Sequence, residues 1–328
     1  MPPINDSETH YQTMNQDERN ATLADTAFIF PGQGSQESGM GKAFYEAWPE
    51  MQTAFDRLDS ALDIDLYELC FRRETEELTR PRNAQPALLA AGYATYAGLT
   101  SRFAVMPAYV AGHSLGHFTA LAAAGVASPT DLVDVVRRRG RFMERAEREA
   151  GPGTMLAVLL ADPDIVADAC RDRDDVSVAL YNGPRQTVIS GTTEGVEAVQ
   201  ATLSDSATVR FRELQVGAAF HSPVMAPAVD RLEEVFTEIS LEEATIPIVS
   251  DVSGKVYTDP TVARQDLTSQ ITASVDWVSV VEELQQRGVT RYVEFPPAGV
   301  LTSLVDRMHS DTECYTLETP ADAQELFT

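Results

Sequence analysis

Residues 108–126 read AYVAGHSLGHFTALAAAGV, a short apolar run (108–111) followed by Gly112-His113-Ser114-Leu115-Gly116 and then an alanine-rich stretch. Glycines on both sides of a serine permit a turn so tight that backbone and neighbouring strands touch, and such a turn lifts the serine Oγ out of a sheet at a helix N-terminus. A strand that enters a helix this way is the building unit of parallel α/β sheets. An α/β fold with a mostly parallel sheet is therefore expected, with Ser114 as the candidate nucleophile. The bland alternative, a glycine-serine string that only makes a turn, is weaker because strand and helix flank it on the required sides.

The rest of the chain carries the same alternation. AFIF (27–30) meets Pro31-Gly32 as a buried strand would, and a glycine-rich loop, GQGSQESGMG (32–41), follows. Helical spacing covers 44–62, and an Ala/Leu-rich helix is expected over 85–99 with Pro86 near its start, where proline costs least. From Thr154 the texture changes to strand (154–160), helix (164–171), strands (176–182 and 186–191), helix (194–203) and strand (209–214). That βαββαβ order matches a ferredoxin-like unit of about 60 residues. The first pattern then resumes, with a helix over 226–238, a strand over 246–252, a helix over 280–287 and a strand over 291–295. The expectation is a discontinuous large α/β domain (27–152 and 216–310) carrying an inserted small domain (153–215). Residues 1–26 are expected as a disordered tail and 311–328 as a C-terminal tail.

Charge narrows the function classes. Fifty acidic residues against 25 basic give a net charge of −25, which repels phosphate backbones and anionic lipid surfaces, so neither nucleic acid nor membrane is an expected partner. Only Lys42 and Lys255 are lysines, and so large a carboxylate excess suits a salt-adapted, halophilic cytoplasm, the alternative being a merely acidic, arginine-preferring proteome. Cys70, Cys170 and Cys314 are odd in number and widely spaced, which suggests neither disulfides nor a zinc site; a reducing compartment and no metal are expected. No stretch reaches the ~18 apolar residues of a membrane helix, and a monomer is the default.

A serine hydroxyl needs a base, and the chain offers five histidines: His10, His113, His117, His221 and His309. His10 lies in the tail and His309 near the C-terminus, while His113 sits inside the turn with its side chain aimed elsewhere. His117, three residues after Ser114, packs beside the helix start and does not reach over the hydroxyl. His221 remains, in the Gly/Ala-rich segment GAAFHSPVM (217–225). Among so many carboxylates none can be named as its orienting partner, and a backbone carbonyl serves equally, since only a hydrogen-bond acceptor that fixes the tautomer is required.

The loop after the first strand lacks both a P-loop ending and GxGxxG, so a nucleotide reading fails. Gly32-Gln33-Gly34-Ser35-Gln36, then Gly112-His113-Ser114-Leu115-Gly116, then Arg139-Gly140, and a late His221 together resemble malonyl-CoA:acyl carrier protein transacylases and the acyltransferase domains of polyketide synthases. Asn182-Gly183-Pro184 with QTVISG, PIVSDVSG (247–254), Gln270 upstream of Val275-Asp276-Trp277, and VEFPPAGVL (293–301) extend the resemblance from 27 to 305. It implies an α/β-hydrolase-like large domain with a ferredoxin-like small one. It further implies Ser114 as nucleophile, His221 as base, the N–H groups of Gln33 and Leu115 at the oxyanion, and the Gln270 carbonyl on the imidazole. Arg139 would take the free carboxylate of a malonyl group, with Asn182 and Phe220 as further substrate-binding residues. Read without the family, Arg137, Arg138, Arg139 and Arg141 are a solvated helix face with Glu144 and Glu147. His117, where the family usually has Glu, is the main departure.

The expected reaction is malonyl transfer from malonyl-CoA to the phosphopantetheine thiol of an acyl carrier protein, with no bound cofactor, in fatty acid or polyketide synthesis. An acyl-thioester hydrolase on the same scaffold is the alternative, told apart by whether water or carrier protein is the preferred acceptor. A scaffold that only docks carrier proteins is a third reading, disfavoured by an intact Ser, His and Gln-loop set.

Overall fold

The computed structural model describes residues 23–328 except 74, 205, 215 and 217. The expected tail lies outside the described residues as far as 22, and Thr26 already belongs to the first strand. In chain order the strands are β1 (Thr26–Phe30), β2 (Tyr109–Gly112), β3 (Gly153–Leu159), β4 (Val176–Gly183), β5 (Gln186–Thr192), β6 (Arg210–Glu213), β7 (Ile248–Val249), β8 (Val256–Tyr257), β9 (Val275–Asp276), β10 (Arg291–Glu294) and β11 (Glu313–Thr316). They make a mixed α/β fold with two mixed sheets.

The six-stranded sheet has the order β11-β10-β1-β2-β7-β8, parallel throughout except where β8 turns back on β7. Its central strands are apolar on both faces because both are covered, as parallel sheets require. Phe28 and Phe30 of β1 pack into one cluster with the helices Pro81–Phe103 and Leu115–Ala123, while Ala27 and Ile29 pack into another with Trp277–Gln286 and Val300–Met308. The five-stranded sheet has the order β6-β3-β5-β4-β9. Its first four strands are antiparallel, with the helices Pro163–Cys170 and Thr193–Leu203 packed on one face, and β9 joins β4 in parallel. β9 lies far along the chain, at the end of the segment that carries Gln270, and so laces that segment to the smaller sheet.

Proline sets several boundaries that periodicity alone misplaces. The helix expected over 44–62 is two helices, Lys42–Ala47 and Pro49–Asp59, because Trp48 before Pro49 is driven into an extended conformation (φ −117°, ψ 106°). The helix expected over 85–99 runs Pro81–Phe103, so Pro81 and not Pro86 opens it. Pro86 lies inside, leaving the Arg82 carbonyl without its helical N–H; Arg137 Nη1 donates to that oxygen at 3.4 Å. The helix expected over 226–238 begins as a 3-10 turn, Pro223–Ala228, and becomes α-helical only at Val229. The strand expected over 246–252 shrinks to β7, freeing Ser250 and Asp251 to form a turn.

The C-terminal tail expected over 311–328 is corrected: β11 extends the large sheet beside β10, and a capped helix, Pro320–Phe327, follows it. Four-residue strands with half-buried side chains give too little pattern to be read in advance. No helix among the described residues is long and apolar enough to cross a membrane.

Candidate active site

β1, β2 and β7 lie side by side and all end at the same edge, with Phe30 opposite Gly112 and Ala111 opposite Val249. The loop after β1 (Gln33), the turn after β2 (Ser114) and the turn after β7 (Asp251) therefore meet at one place, as ligand-binding loops of α/β sheets do. Ser114 has φ 51°, an unfavourable value for a side-chain-bearing residue, held by its surroundings. The turn is close enough that a Cβ on Gly116 would stand 1.9 Å from the Phe30 carbonyl oxygen, so this position must be glycine.

Ser114 Oγ lies 2.7 Å from His221 Nε2. The other ring nitrogen, Nδ1, faces two backbone carbonyls, Gln270 at 2.8 Å and Ala273 at 3.2 Å. Carbonyls only accept, so Nδ1 carries the proton and Nε2 is left to accept from the serine. His221 also has a positive φ, 55°. Burial, with the charge of Arg139, pulls its pKa down to about 3 despite the two carbonyls, so the imidazole is a neutral base at ordinary pH.

Arg139 leaves the run of arginines and turns inward. It is 2% exposed, 5.3 Å over the Phe118 ring, and it donates to Gln85 Oε1 and Gln270 Oε1, each at 3.1 Å. A Cβ on Gly140 would meet the Pro81 carbonyl carbon at 2.5 Å; without one, the helix Pro129–Ala150 lies close enough to Pro81–Phe103 for Arg139 to reach Gln85. Burial lowers its pKa to about 10, partly offset by Asp251, so it stays cationic. Both its partners are neutral carboxamides, which leaves a buried guanidinium with charge to offer. Arg137 is buried as well and pairs with Asp63 at 2.9 Å. Only Arg138 and Arg141 keep the solvated role, paired with Asp134, Glu238 and Asp63.

These residues surround a cavity of about 60 Å³ lined by Gln33, His113, Ser114, Arg139, Phe220 and His221, with Met143, Met155, Leu180, Leu214 and Val216 completing the wall. The backbone N–H groups of Gln33 and Leu115 have no acceptor among the described residues. Asn182 does not line this cavity. Its Oδ1 accepts from His113 Nε2 at 2.8 Å, and it borders a wider cleft of about 490 Å³ with Arg185, Arg210 and Arg307. His117 is fully buried, its Nε2 2.9 Å from the Tyr257 hydroxyl, and it meets Ser114 only through its backbone N–H, which donates to the Ser114 carbonyl at 3.1 Å. No group of three or more potential ligands stands ready for a metal among the described residues.

Sequence reasoning missed Asp251. Its carboxylate accepts the Ser114 N–H at 2.8 Å and the Gln270 Nε2 at 2.9 and 3.1 Å. Burial pushes its pKa up to about 6 against the lowering effect of those bonds. One aspartate among 50 acidic residues has no signal of its own. The strand-ending turn SDVSG was the available hint, because whatever follows a strand adjacent to β2 must approach the serine.

Set beside known proteins, residues 27–319 match the acyl transferase domain family. The chain is 37% identical over 302 residues to a malonyl CoA-acyl carrier protein transacylase of Bacillus subtilis, covering 91% of this chain and 95% of that one. A crystal structure of malonyl-CoA:acyl carrier protein transacylase from Xanthomonas oryzae superposes with a TM-score of 0.88 at 36% identity, over 92% and 97% of the two chains. A malonyl-transacylase solved in complex with its type II polyketide synthase acyl-carrier protein gives 0.87 at 31% identity, over 92% and 99%.

Proposed function

The chain belongs to the acyl transferase domain family, and on that premise we propose that it moves malonyl from malonyl-CoA to the phosphopantetheine thiol of an acyl carrier protein. The product is the extender unit of fatty acid or polyketide synthesis. One observation carries this reading: a serine hydrogen-bonded to a neutral imidazole opens into the same small cavity as a buried arginine that has no carboxylate partner. Ser114 Oγ adds to the thioester carbonyl as its proton passes to His221 Nε2, and the oxyanion rests on the N–H groups of Gln33 and Leu115. The C–S bond then breaks and Nε2 returns the proton to the CoA thiolate. In the second half-reaction the carrier's thiol gives its proton to Nε2, its sulfur adds to the acyl-serine, and Oγ departs with the proton.

Arg139 selects the acyl group. A planar guanidinium takes a carboxylate by two parallel hydrogen bonds, and the cavity holds on the order of a few waters, enough for a short acyl group only. Arg139→Ala should therefore lower kcat/KM for malonyl-CoA by the ~2–5 kcal/mol that a buried charge partner commands, while acetyl-CoA, which never uses the contact, loses little. Competition between the two donors, with holo-carrier protein as acceptor, measures this. An unchanged malonyl-to-acetyl ratio would refute the assignment.

Phe220 stands beside the base in the cavity wall, where its ring occupies the space a C2 methyl would need. Malonyl-CoA should be preferred to methylmalonyl-CoA, and Phe220→Ser should narrow the gap by ~1–3 kcal/mol, the range a single methyl group commands. Equal use of both thioesters by the native protein would defeat this claim. The wider cleft past Asn182 suits the remainder of the donor, since Arg185, Arg210 and Arg307 supply positive charge for phosphates on a chain of net charge −25.

The small sheet is best read as a ferredoxin-like insertion over 153–215, because the order β6-β3-β5-β4 is what its βαββαβ chain order would form. The flanking segments form the α/β-hydrolase-like part, which extends through residue 327 once β11 is included. We infer further that the protein works as a cytoplasmic monomer in high salt. Three free thiols and the carboxylate excess support that reading.

A further inference from the structure

The Gln270 carboxamide faces partners with opposite demands. Its Nε2 donates to the Ser114 carbonyl at 3.0 Å and to both oxygens of Asp251, which leaves Oε1 to accept from Arg139 Nη2 at 3.1 Å. Turned the other way, the amide would set its oxygen against a carboxylate and a carbonyl, and its NH₂ against a guanidinium, all of them buried. Unsatisfied or like-facing polar groups are most costly where they are buried. The carboxylate of Asp251, itself fully buried, is the strongest of the acceptors that impose this direction. It also compensates the buried guanidinium from behind Gln270, without occupying the part of Arg139 that faces the cavity.

We propose that Asp251 is a positioning residue for donor selection: its carboxylate fixes the direction of the Gln270 carboxamide and, through it, the Arg139 guanidinium against which the acyl carboxylate is chosen. The inference rests on the reading of Arg139 given above. Several titratable or charged groups surround Asp251. His113 lies in the turn beside Ser114, His117 Nδ1 on the helix that follows stands 3.7 Å away, and Arg139, Asp266 and Tyr257 approach from three further elements.

Asp251→Asn tests the idea. It keeps the shape and, at Oδ2, the oxygen shared by the Ser114 N–H and the Gln270 Nε2, but puts an NH₂ in place of Oδ1, 3.1 Å from the Gln270 NH₂. The ratio of kcat/KM for malonyl-CoA to that for acetyl-CoA should fall about tenfold or more, mainly through a higher KM for malonyl-CoA, beyond any loss the two donors share through the Ser114 N–H. A merely structural aspartate would slow both donors alike, and that result, or an unchanged ratio, overturns the proposal. The native protein supplies a second measurement that needs no folded variant. Its malonyl-to-acetyl ratio should fall as pH is lowered through about 6, where Asp251 takes up a proton, and a flat ratio there also overturns it. Asp251→Asn should lack this step. If Arg139→Ala changes the ratio and Asp251→Asn does not, this inference alone fails; if Arg139→Ala leaves it unchanged, both readings fail.

Discussion

Ser114→Ala should eliminate the malonyl-enzyme: after brief exposure to malonyl-CoA, intact mass spectrometry should show one malonyl adduct on the native protein and none on the variant. Among the described residues, His221 Nε2 is the nitrogen placed to take the Ser114 Oγ proton, at 2.7 Å. The thiols do not compete. Burial drives the pKa of Cys70 far up, raises that of Cys170 to about 11 and raises that of Cys314 as well, so none of the three is a thiolate near neutral pH. Alanine keeps the Cβ and hence the backbone cost of φ 51°, so the comparison isolates the hydroxyl. Adding holo-carrier protein to the native acyl-enzyme should clear the adduct faster than water does. A variant that still acquires the malonyl mass would remove Ser114 from the mechanism, and clearance by water alone would favour a hydrolase.

His221→Ala should slow both half-reactions, by at least the ~10²–10⁴ that general acid–base catalysis contributes, because in the proposed reaction one nitrogen serves as base and acid in each. The pH profile of the native protein carries the same information. With its pKa pulled from the usual 6.5 down to about 3 by burial and by Arg139, the imidazole stays neutral and competent as pH falls through 6. With acetyl-CoA as donor, kcat/KM should therefore hold nearly level between about pH 8 and 5 and not decline with a midpoint near 6.5. Stopped-flow acylation of each protein checks both claims. A variant within tenfold of native, or an acid limb at 6.5, would contradict the assignment.

Ser114 and His221, which the structure brings to 2.7 Å, could be picked out from the sequence because the proposed chemistry restricts residue types. A GxSxG turn between an apolar run and an alanine-rich helix has few other uses, and among five histidines four had weaker positions. Arg139, Gln33, Leu115 and Gln270 could be named only through resemblance, since a backbone N–H or carbonyl leaves no trace in side-chain identity. Arg137 shows the limit of that route: it turns inward too, but to pair with Asp63. The apolar wall of Met143, Met155, Leu180 and Leu214 could not be singled out, because these residues come from the helix Pro129–Ala150 and from the small sheet with the segment that leaves it, and look like any other core positions until helix and sheet are set together. For the same reason β9 and β11, two and four residues long, were invisible: their strand character comes from neighbours and not from their own pattern.

β9 also decides what the hydrogen bond between Ser114 and His221 measures. Ser114 is carried by β2 of the large sheet. His221 is tied to the small one, its carbonyl accepting from Ser177 of β4 at 3.2 Å, and the two carbonyls that orient its ring sit just before β9, which pairs with that same β4. Ser274 adds a further tie to the Val178 carbonyl at 2.6 Å. The bond proposed to activate the nucleophile therefore bridges the two sheets, and the Met155 and Leu180 walls of the cavity belong to the small one. A hinge that parts the sheets would lengthen the bond and widen the cavity in a single step, leaving the serine unreactive whenever the site stands open to water.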